Sequence, residues 1–156
     1  MHNNRYIDIV DGPIDIVALQ EKVADPDVGA HGWFYGVTRR TTIKDDTKDS
    51  MVTQTLSYEA HRVMAIRELE SLAQRAIEKF GLRHVVIVHR IGEVPIGQAS
   101  VVVGCSSSHR PPTFDALRWM MEVLKQEVPI WKRETCLLYT SPSPRDLSTS
   151  RMPSSA

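Results

Sequence analysis

Basic side chains are concentrated at three places in the sequence, each beside a predicted end of a strand or helix. Arg39–Arg40 follows a glycine-rich apolar segment, and His109–Arg110 follows a β-branched run. Lys125 and Lys132 flank Pro129. If these places meet in the fold, their charges suit a phosphorylated small molecule or a carboxylate terminus. A lysine crowded by like charges and partly desolvated loses its proton more readily, and the neutral amine serves as nucleophile or general base.

Each of these residues also has an ordinary structural interpretation. A charged residue that flanks a helix, such as Lys125, is usually only solvated, and Arg39–Arg40 in a polar segment is compatible with plain surface. His109 is equally well placed to cap the helix that follows it, and Trp131 to anchor a core. From the residues alone, the sequence indicates an α+β domain with a candidate anion pocket.

Periodic apolar residues predict two long helices. Residues 60–80 carry an apolar stripe at three-to-four spacing, with charged residues opposite, and Gly81 is suited to end that helix in the left-handed conformation. The second helix starts at Ser108–Pro112 and ends at Pro129. A turn at Asp11–Pro13 predicts a further short helix.

Segments between the helices predict strands, and the two β-branched runs among them are expected to be buried on both faces. The predicted strands cover residues 5–10, 29–37, 52–58, 84–92, 100–106 and 130–131. Residues 38–50 are polar and are expected to form a mobile loop that could act as a lid. Because strands and helices do not alternate regularly, the predicted class is α+β, with a mixed or antiparallel sheet.

The chain divides into one domain and a tail. Residues 1–135 suit a single domain, whereas residues 136–156 are rich in Ser, Pro and Thr and have no periodic apolar face. Such a segment cannot bury enough surface to offset its ordering entropy. We expect it to be disordered, or to be a cloning or sequence-assembly artefact.

The composition argues against several classes of function. The 19 Lys and Arg residues balance 19 Asp and Glu residues, so the basic surface that nucleic acids and anionic membranes require is absent. No apolar run approaches the ~18 residues that a membrane span needs, and no signal-peptide pattern opens the chain. We expect a cytoplasmic protein that binds neither nucleic acid nor membrane.

The cysteines and histidines predict neither a metal site nor a cofactor. Cys105 and Cys136 are the only 2 cysteines, and they lack the CxxC spacing of zinc or redox sites. Cys105 lies in an apolar run, where a buried and unreactive thiol is expected. The 6 histidines show no paired spacing near carboxylates.

Four segments together resemble the family of the molybdopterin synthase catalytic (large) subunit. They are GAHGWFYGVTRR, LSYEAHRVMA, VVIVHRIGEVPIGQASVVVGCSSSHR and MEVLKQEVPIWKRE, in order across about residues 5–134. The combination of HRIGEVPIG, SSSHR and PIWKRE is highly specific. The resemblance implies an α/β-hammerhead-like fold, which is compatible with the α+β class.

The resemblance also implies a sulfurtransferase activity and its partners. In that family a small ubiquitin-like sulfur-carrier subunit inserts its thiocarboxylated C-terminus into the large subunit. Sulfur passes to cyclic pyranopterin monophosphate, and two rounds produce the molybdopterin dithiolene of molybdenum cofactor biosynthesis. The large subunit forms a homodimer core with one small subunit at each end, which makes a heterotetramer.

The resemblance assigns roles to five residues of this sequence. Lys125 is implied to be the main catalytic amine, which contacts the thiocarboxylate or an acyl intermediate, and Lys132 is implied to assist it. Arg39, His109 and Arg110 are implied to bind the substrate phosphate or pterin, some of them across the dimer interface.

The C-terminal segment departs from the family pattern. The match ends near Glu134, and neither Arg145 nor Arg151 aligns with the further pocket arginine that family members contribute there. This leaves an alternative function, a non-catalytic docking module for the ubiquitin-like subunit that is inactive because of its aberrant C-terminus.

Overall fold

The computed structural model describes residues 4–43, 50–138 and 147–153, and it gives side-chain surroundings for residues 4–41 and 56–133. These residues form nine strands, three α-helices and one 3₁₀ turn. The strands are β1 (Arg5–Val10), β2 (Ala30–Val37), β3 (Thr41–Ile43), β4 (Ser50–Ala60), β5 (His84–Arg90), β6 (Gly92–Glu93), β7 (Ala99–Ser107), β8 (Ile130–Leu138) and β9 (Leu147–Pro153). The helices are α1 (Ile16–Gln20), α2 (Arg62–Phe80) and α3 (Arg110–Glu127), and Glu21–Val23 forms the 3₁₀ turn.

The first sheet has the strand order β1-β5-β7-β2. β1 runs parallel to β5, and β7 runs antiparallel to both β5 and β2. β2 and β5 therefore point the same way, so their carboxyl ends lie at one end of the molecule. We call this the β2 exit end, and it bears Val37 and Arg90. The opposite end bears the start of α3.

The two β-branched strands are covered on both faces, as the sequence predicts. Val85 and Ile87 of β5 belong to the main core under α2 and α3, whereas Val86 and Val88 pack with Leu19 of α1 on the other face. Alternate side chains of one strand point to opposite faces. A near-continuous apolar run therefore fits a strand between two layers.

The long helices also agree with the sequence prediction. α2 is preceded by His61, whose Nδ1 accepts a hydrogen bond from the Met64 N–H at 3.4 Å. It ends at Gly81, whose φ of 66° lies in the left-handed region that favours glycine. No helix in the described part of the chain is long and apolar enough to span a membrane.

The second sheet differs from the sequence prediction in two places. It contains β3, β4, β8 and β9 in that order, with β6 paired to β4. Residues 41–43, expected in a mobile loop, form a strand that pairs with the start of β4; residues 44–49 lie outside the described residues. The final strand, expected to be short, is the nine-residue β8.

The C-terminal segment extends the second sheet, and the division of the chain at residue 135 remains a prediction. Residues 136–138 continue β8, and Leu147–Pro153 forms β9, which pairs with β8 from Trp131 to Leu137. An added edge strand needs only backbone hydrogen bonds, so the missing apolar period in this segment did not reveal it. Residues 139–146 and 154–156 lie outside the described part. The mixed α/β architecture as a whole confirms the predicted fold class.

Candidate functional site

Lys125 lies in the last turn of α3 and lines an apolar cavity between that helix and β2. The cavity has a volume of about 290 Å³, and its wall includes Trp33 and Phe34 of β2 with Leu117 and Met121 of α3. This volume is at the lower end of the range for small-molecule sites. The cavity therefore accommodates a narrow group, with an exposed amine on its wall.

α3 and β2 run in the same direction, which places Lys125 toward the β2 exit end. A Cβ on Gly32 would lie 2.9 Å from Leu117 Cδ1 and 3.1 Å from Thr113 Cβ, so the absence of a side chain there lets the helix pack closely. Further along both elements, Phe34 shares the cavity wall with Lys125. Because α3 and β2 stay side by side, the end of α3 lies beside the residues that follow β2.

Arg39 follows β2 by two residues and is exposed at the same end of the molecule. The preceding residue, Thr38, is 2% exposed, and its backbone N–H donates to the Gln98 carbonyl at 3.1 Å. Arg39 therefore projects from a backbone position that is held in place by the neighbouring strand connection.

Lys132 lies on β8 opposite Tyr58 of β4, on the face that also bears Ile130. Tyr58 and Ile130 are buried, and Lys132 itself is partly buried. Tyr58 packs edge-on against His89, with ring centroids 5.0 Å apart. His89 is at the carboxyl end of β5, so Lys132 also lies toward the β2 exit end.

His89 is uncharged at neutral pH because it is fully buried. Burial lowers the pKa of His89 to about 4, although a hydrogen bond to the Arg90 carbonyl opposes the shift. That bond is 2.8 Å long and involves Nδ1, which must donate because a carbonyl oxygen can only accept. The Tyr58 phenol opposite Lys132 thus packs against a neutral imidazole.

His109 and Arg110 stand at the opposite end of α3. Both are exposed and line a shallow cavity of about 470 Å³ together with Gly29 and Ser108. His109 occupies the N-cap position, but its side chain makes no capping hydrogen bond. From Arg110 to Lys125 the helix rises about 22 Å, at ~1.5 Å per residue.

A single copy of the chain therefore does not bring the three basic groups into one pocket. Lys125, Lys132 and Arg39 share the β2 exit end, whereas the pair His109–Arg110 is separated from Lys125 by the length of α3. The roles assigned to these residues remain predictions.

Several side chains near the lysines were not identified from the sequence. Phe34 and Met121 line the cavity beside Lys125. Tyr58 lies opposite Lys132, and His89 packs against Tyr58. Alternation along GWFYGV marked Phe34 as facing one side of its strand. The Tyr58–His89 contact had no local signal, because it joins strands that are distant in sequence.

The largest cavity among those described lies elsewhere and is not an anion pocket. It has a volume of about 630 Å³ and is lined by Asp25, Arg83 and His84. Asp25 accepts hydrogen bonds from Arg83 Nε at 3.0 Å and from His84 Nε2 at 2.9 Å. The Asp27 backbone N–H, followed by these two partners, holds the pKa of Asp25 well below its usual range. The basic groups here are already paired with a carboxylate.

Cys105 is a buried free thiol, as the sequence predicts. It is 0% exposed, and burial raises its pKa to about 12. The described residues contain no group of three or more His, Cys, Asp or Glu side chains that could hold a metal ion.

Comparisons with known proteins agree on one family. The profile of the MoaE protein family matches residues 9–127. The molybdopterin synthase catalytic subunit 1 of Mycobacterium tuberculosis is 40% identical over 129 residues, covering 83% of this chain and 84% of that protein. Molybdopterin synthase from Staphylococcus aureus has a similar structure, with a TM-score of 0.75 and 29% identity over 92% of this chain and 94% of the other.

Other relatives are longer than this chain. The molybdopterin synthase catalytic subunit of Emericella nidulans is 42% identical over 117 residues, which are 75% of this chain but 56% of that protein. The chain spans about a third of the length of the corresponding Drosophila willistoni protein. The resemblance inferred from the four sequence segments is confirmed, and the chain belongs to the MoaE protein family.

Proposed function

We propose that this chain is the catalytic subunit of molybdopterin synthase. It transfers sulfur from the thiocarboxylated C-terminus of a small ubiquitin-like subunit to cyclic pyranopterin monophosphate, in the cytosol. The observation that carries the proposal is the position of Lys125, an exposed amine on the wall of an apolar cavity at the end that also bears Arg39 and Lys132. Family membership supplies the reaction.

The chemistry requires a bond change at sulfur and at the acyl carbon. The thiocarboxylate sulfur replaces an oxygen substituent on a carbon of the pterin precursor, so a carbon–sulfur bond forms, a carbon–oxygen bond breaks and the oxygen leaves with its electron pair. Water then cleaves the acyl–sulfur bond, which leaves the sulfur on the pterin and a carboxylate on the carrier. Lys125 contacts the thiocarboxylate or the acyl intermediate, and fixed positive charge there stabilises negative charge that develops on oxygen. Lys132 assists by proton transfer or by its charge.

The substrate phosphate binds basic groups from two copies of the chain. Arg39 lies at the β2 exit end, whereas His109 and Arg110 lie about 22 Å from Lys125 along α3. A homodimer that places the start of one α3 beside the partner's Lys125 would assemble the full set. Each dimer then carries two such pockets and two small subunits.

A single-turnover assay tests the proposed activity. The chain is mixed with thiocarboxylated small subunit and cyclic pyranopterin monophosphate, and molybdopterin is measured. Lys125→Ala should abolish product while leaving small-subunit binding nearly intact. Lys79→Ala, which removes an exposed lysine from the last turn of α2, is the matched control and should behave as wild type. Normal turnover by Lys125→Ala would remove Lys125 from the catalytic role.

If the wild-type chain yields no molybdopterin, binding of the small subunit decides between two explanations. Binding of the small subunit without product would favour the docking module, and no binding at all would refute the proposal. For substrate binding, Arg39→Ala should raise KM with little change in kcat, and Arg40→Ala is the matched control.

Subunit mixing tests the shared pocket. A chain with His109→Ala and Arg110→Ala and a chain with Lys125→Ala should each be inactive. Mixed in equal amounts, they form heterodimers in which one of two pockets is intact, so activity should recover to about a quarter of wild type. No recovery, with heterodimers demonstrated by native mass spectrometry, would contradict sharing.

A further inference from the structure

Arg90 is a buried cation at the carboxyl end of β5. The residue is 8% exposed, and none of the ion pairs found among the described residues includes it. Its Nη1 donates to Gln98 Oε1 at 2.6 Å, while its Nε is buried and has no hydrogen-bond partner in the described part of the chain. Burying a charge is costly unless the surrounding groups compensate it. Within residues 4–41 and 56–133, Gln98 is the side chain that accepts a hydrogen bond from this buried cation.

Gln98 belongs to the turn that brackets Thr38. Its carbonyl accepts the Thr38 N–H at 3.1 Å, and the N–H of the neighbouring Gly97 donates to the Thr38 carbonyl at 2.8 Å. Gly97 has a φ of 84°, in the region that favours glycine. Both backbone groups of Thr38 are thus bonded to the turn that Arg90 holds.

Thr38 is the residue immediately before Arg39. It is 2% exposed, and its buried hydroxyl has no hydrogen-bond partner among the residues that the structure describes. The two backbone hydrogen bonds to the turn are therefore the polar contacts that hold Thr38. The exposed turn therefore fixes the backbone position from which the Arg39 side chain extends.

We propose that Arg90 is a positioning residue that fixes Thr38 through Gln98 and so directs Arg39 toward the substrate phosphate. The inference rests on the proposed function, in which Arg39 binds that phosphate. A hydrogen bond from a charged donor is stronger than one between neutral groups. It anchors an exposed turn to the sheet more firmly than the backbone bonds alone. Small displacements of a substrate-binding group reduce its contribution steeply.

Gln98→Leu is the decisive variant, because Gln98 is exposed and its loss should leave the fold intact. Removing the acceptor should raise KM for cyclic pyranopterin monophosphate about tenfold, with kcat within about twofold of wild type. Gln98→Glu keeps an acceptor and adds an opposite charge, so it should keep the wild-type KM. Ile96→Ala, at an exposed position on the same turn, is the matched control.

A double variant tests whether the effect passes through Arg39. In an Arg39→Ala background, Gln98→Leu should raise KM no further, because the group being positioned is absent. Arg90→Met removes the donor of the same hydrogen bond, so it should raise KM as Gln98→Leu does. An equal rise of KM in the Arg39→Ala background would overturn the inference.

Hydrogen exchange separates this inference from the proposed function. The Thr38 amide should exchange about tenfold faster in Gln98→Leu than in wild type, whatever the activity of the chain. If the wild type is active but Gln98→Leu changes neither the Thr38 exchange rate nor KM, the positioning role of Arg90 is refuted and the proposed function stands. Either result unchanged by itself is enough to refute that role. An inactive wild type with faster Thr38 exchange would refute the proposed function and retain the restraint on Thr38.

Discussion

Gly29→Ala tests the close packing between the start of β2 and the start of α3. A Cβ at Gly29 would lie 2.6 Å from the Ser108 carbonyl oxygen, whereas carbon–oxygen contacts are normally at least about 3.3 Å. The Ser108 backbone would have to retreat by roughly 0.7 Å to reach that distance. Gly29 is not among the residues with positive φ, so the clash is steric and not conformational.

The size of the effect follows from two opposing contributions. Overpacking of this kind costs about 1–3 kcal/mol, and replacing glycine by alanine restores about 0.4–1 kcal/mol by restricting the unfolded chain. The expected net loss is therefore about 1–2 kcal/mol of unfolding free energy. For a chain of this length that corresponds to a decrease in Tm of roughly 2–8 °C.

Urea denaturation with linear extrapolation measures this loss, provided that the m-value is unchanged. Gly12→Ala is the matched control, because a Cβ there meets nothing within 4 Å. It should be neutral or slightly stabilising. Equal stability of the two variants would refute the packing argument. Since His109 follows Ser108 directly, Gly29→Ala should also raise KM if His109 contacts the substrate.

Three further predictions concern buried groups. The unfolding free energy should fall by roughly 3 kcal/mol as the pH is lowered from about 6.5 to 4. In this range the unfolded chain protonates His89, whereas the folded chain keeps it neutral. Urea denaturation of His89→Gln at the same pH values should not show this decline. Below that range His89 is protonated in both states and its contribution is constant. Alkylation of Cys105 should be no faster than unfolding, because burial raises its pKa to about 12, and rapid labelling of the native thiol, located by mass spectrometry, would contradict this. Gly104→Ala would overlap the indole of Trp33 and should cost about 1–3 kcal/mol, but little when Trp33 is already alanine.

Local elements were predictable because their signals are local. The α2 helix follows from an apolar stripe and ends at Gly81, as expected from the left-handed conformation that glycine adopts there. The burial of β5 and β7 on both faces follows from their β-branched runs. The β8–β9 pairing has no such signal, since backbone hydrogen bonds to an edge strand require no particular side chains.

The site was predictable only in part. The sequence identified Lys125, Lys132, Arg39, His109 and Arg110 as candidates. The separation of His109–Arg110 from Lys125 by the length of α3 emerged only from the structure. The contact of Arg90 with Gln98, and the hydrogen bond between Gln98 and Thr38, were not foreseeable. They join a strand end, a turn and a second strand end that lie 8 and 60 residues apart.

The sequence by itself determined the helices, the buried strands and the family to which the chain belongs. Helix periodicity, glycine conformations and short motifs are properties of neighbouring residues, so they can be identified from the sequence without the tertiary structure. Only the tertiary structure decided which ends meet. The order β1-β5-β7-β2 makes β2 and β5 point the same way, which brings Arg39 and Arg90 to the end of α3 that carries Lys125. Lys132 reaches that end through the pairing of β8 with β4 and the contact between Tyr58 and His89. Strand order depends on pairing between distant segments, and no local pattern encodes it.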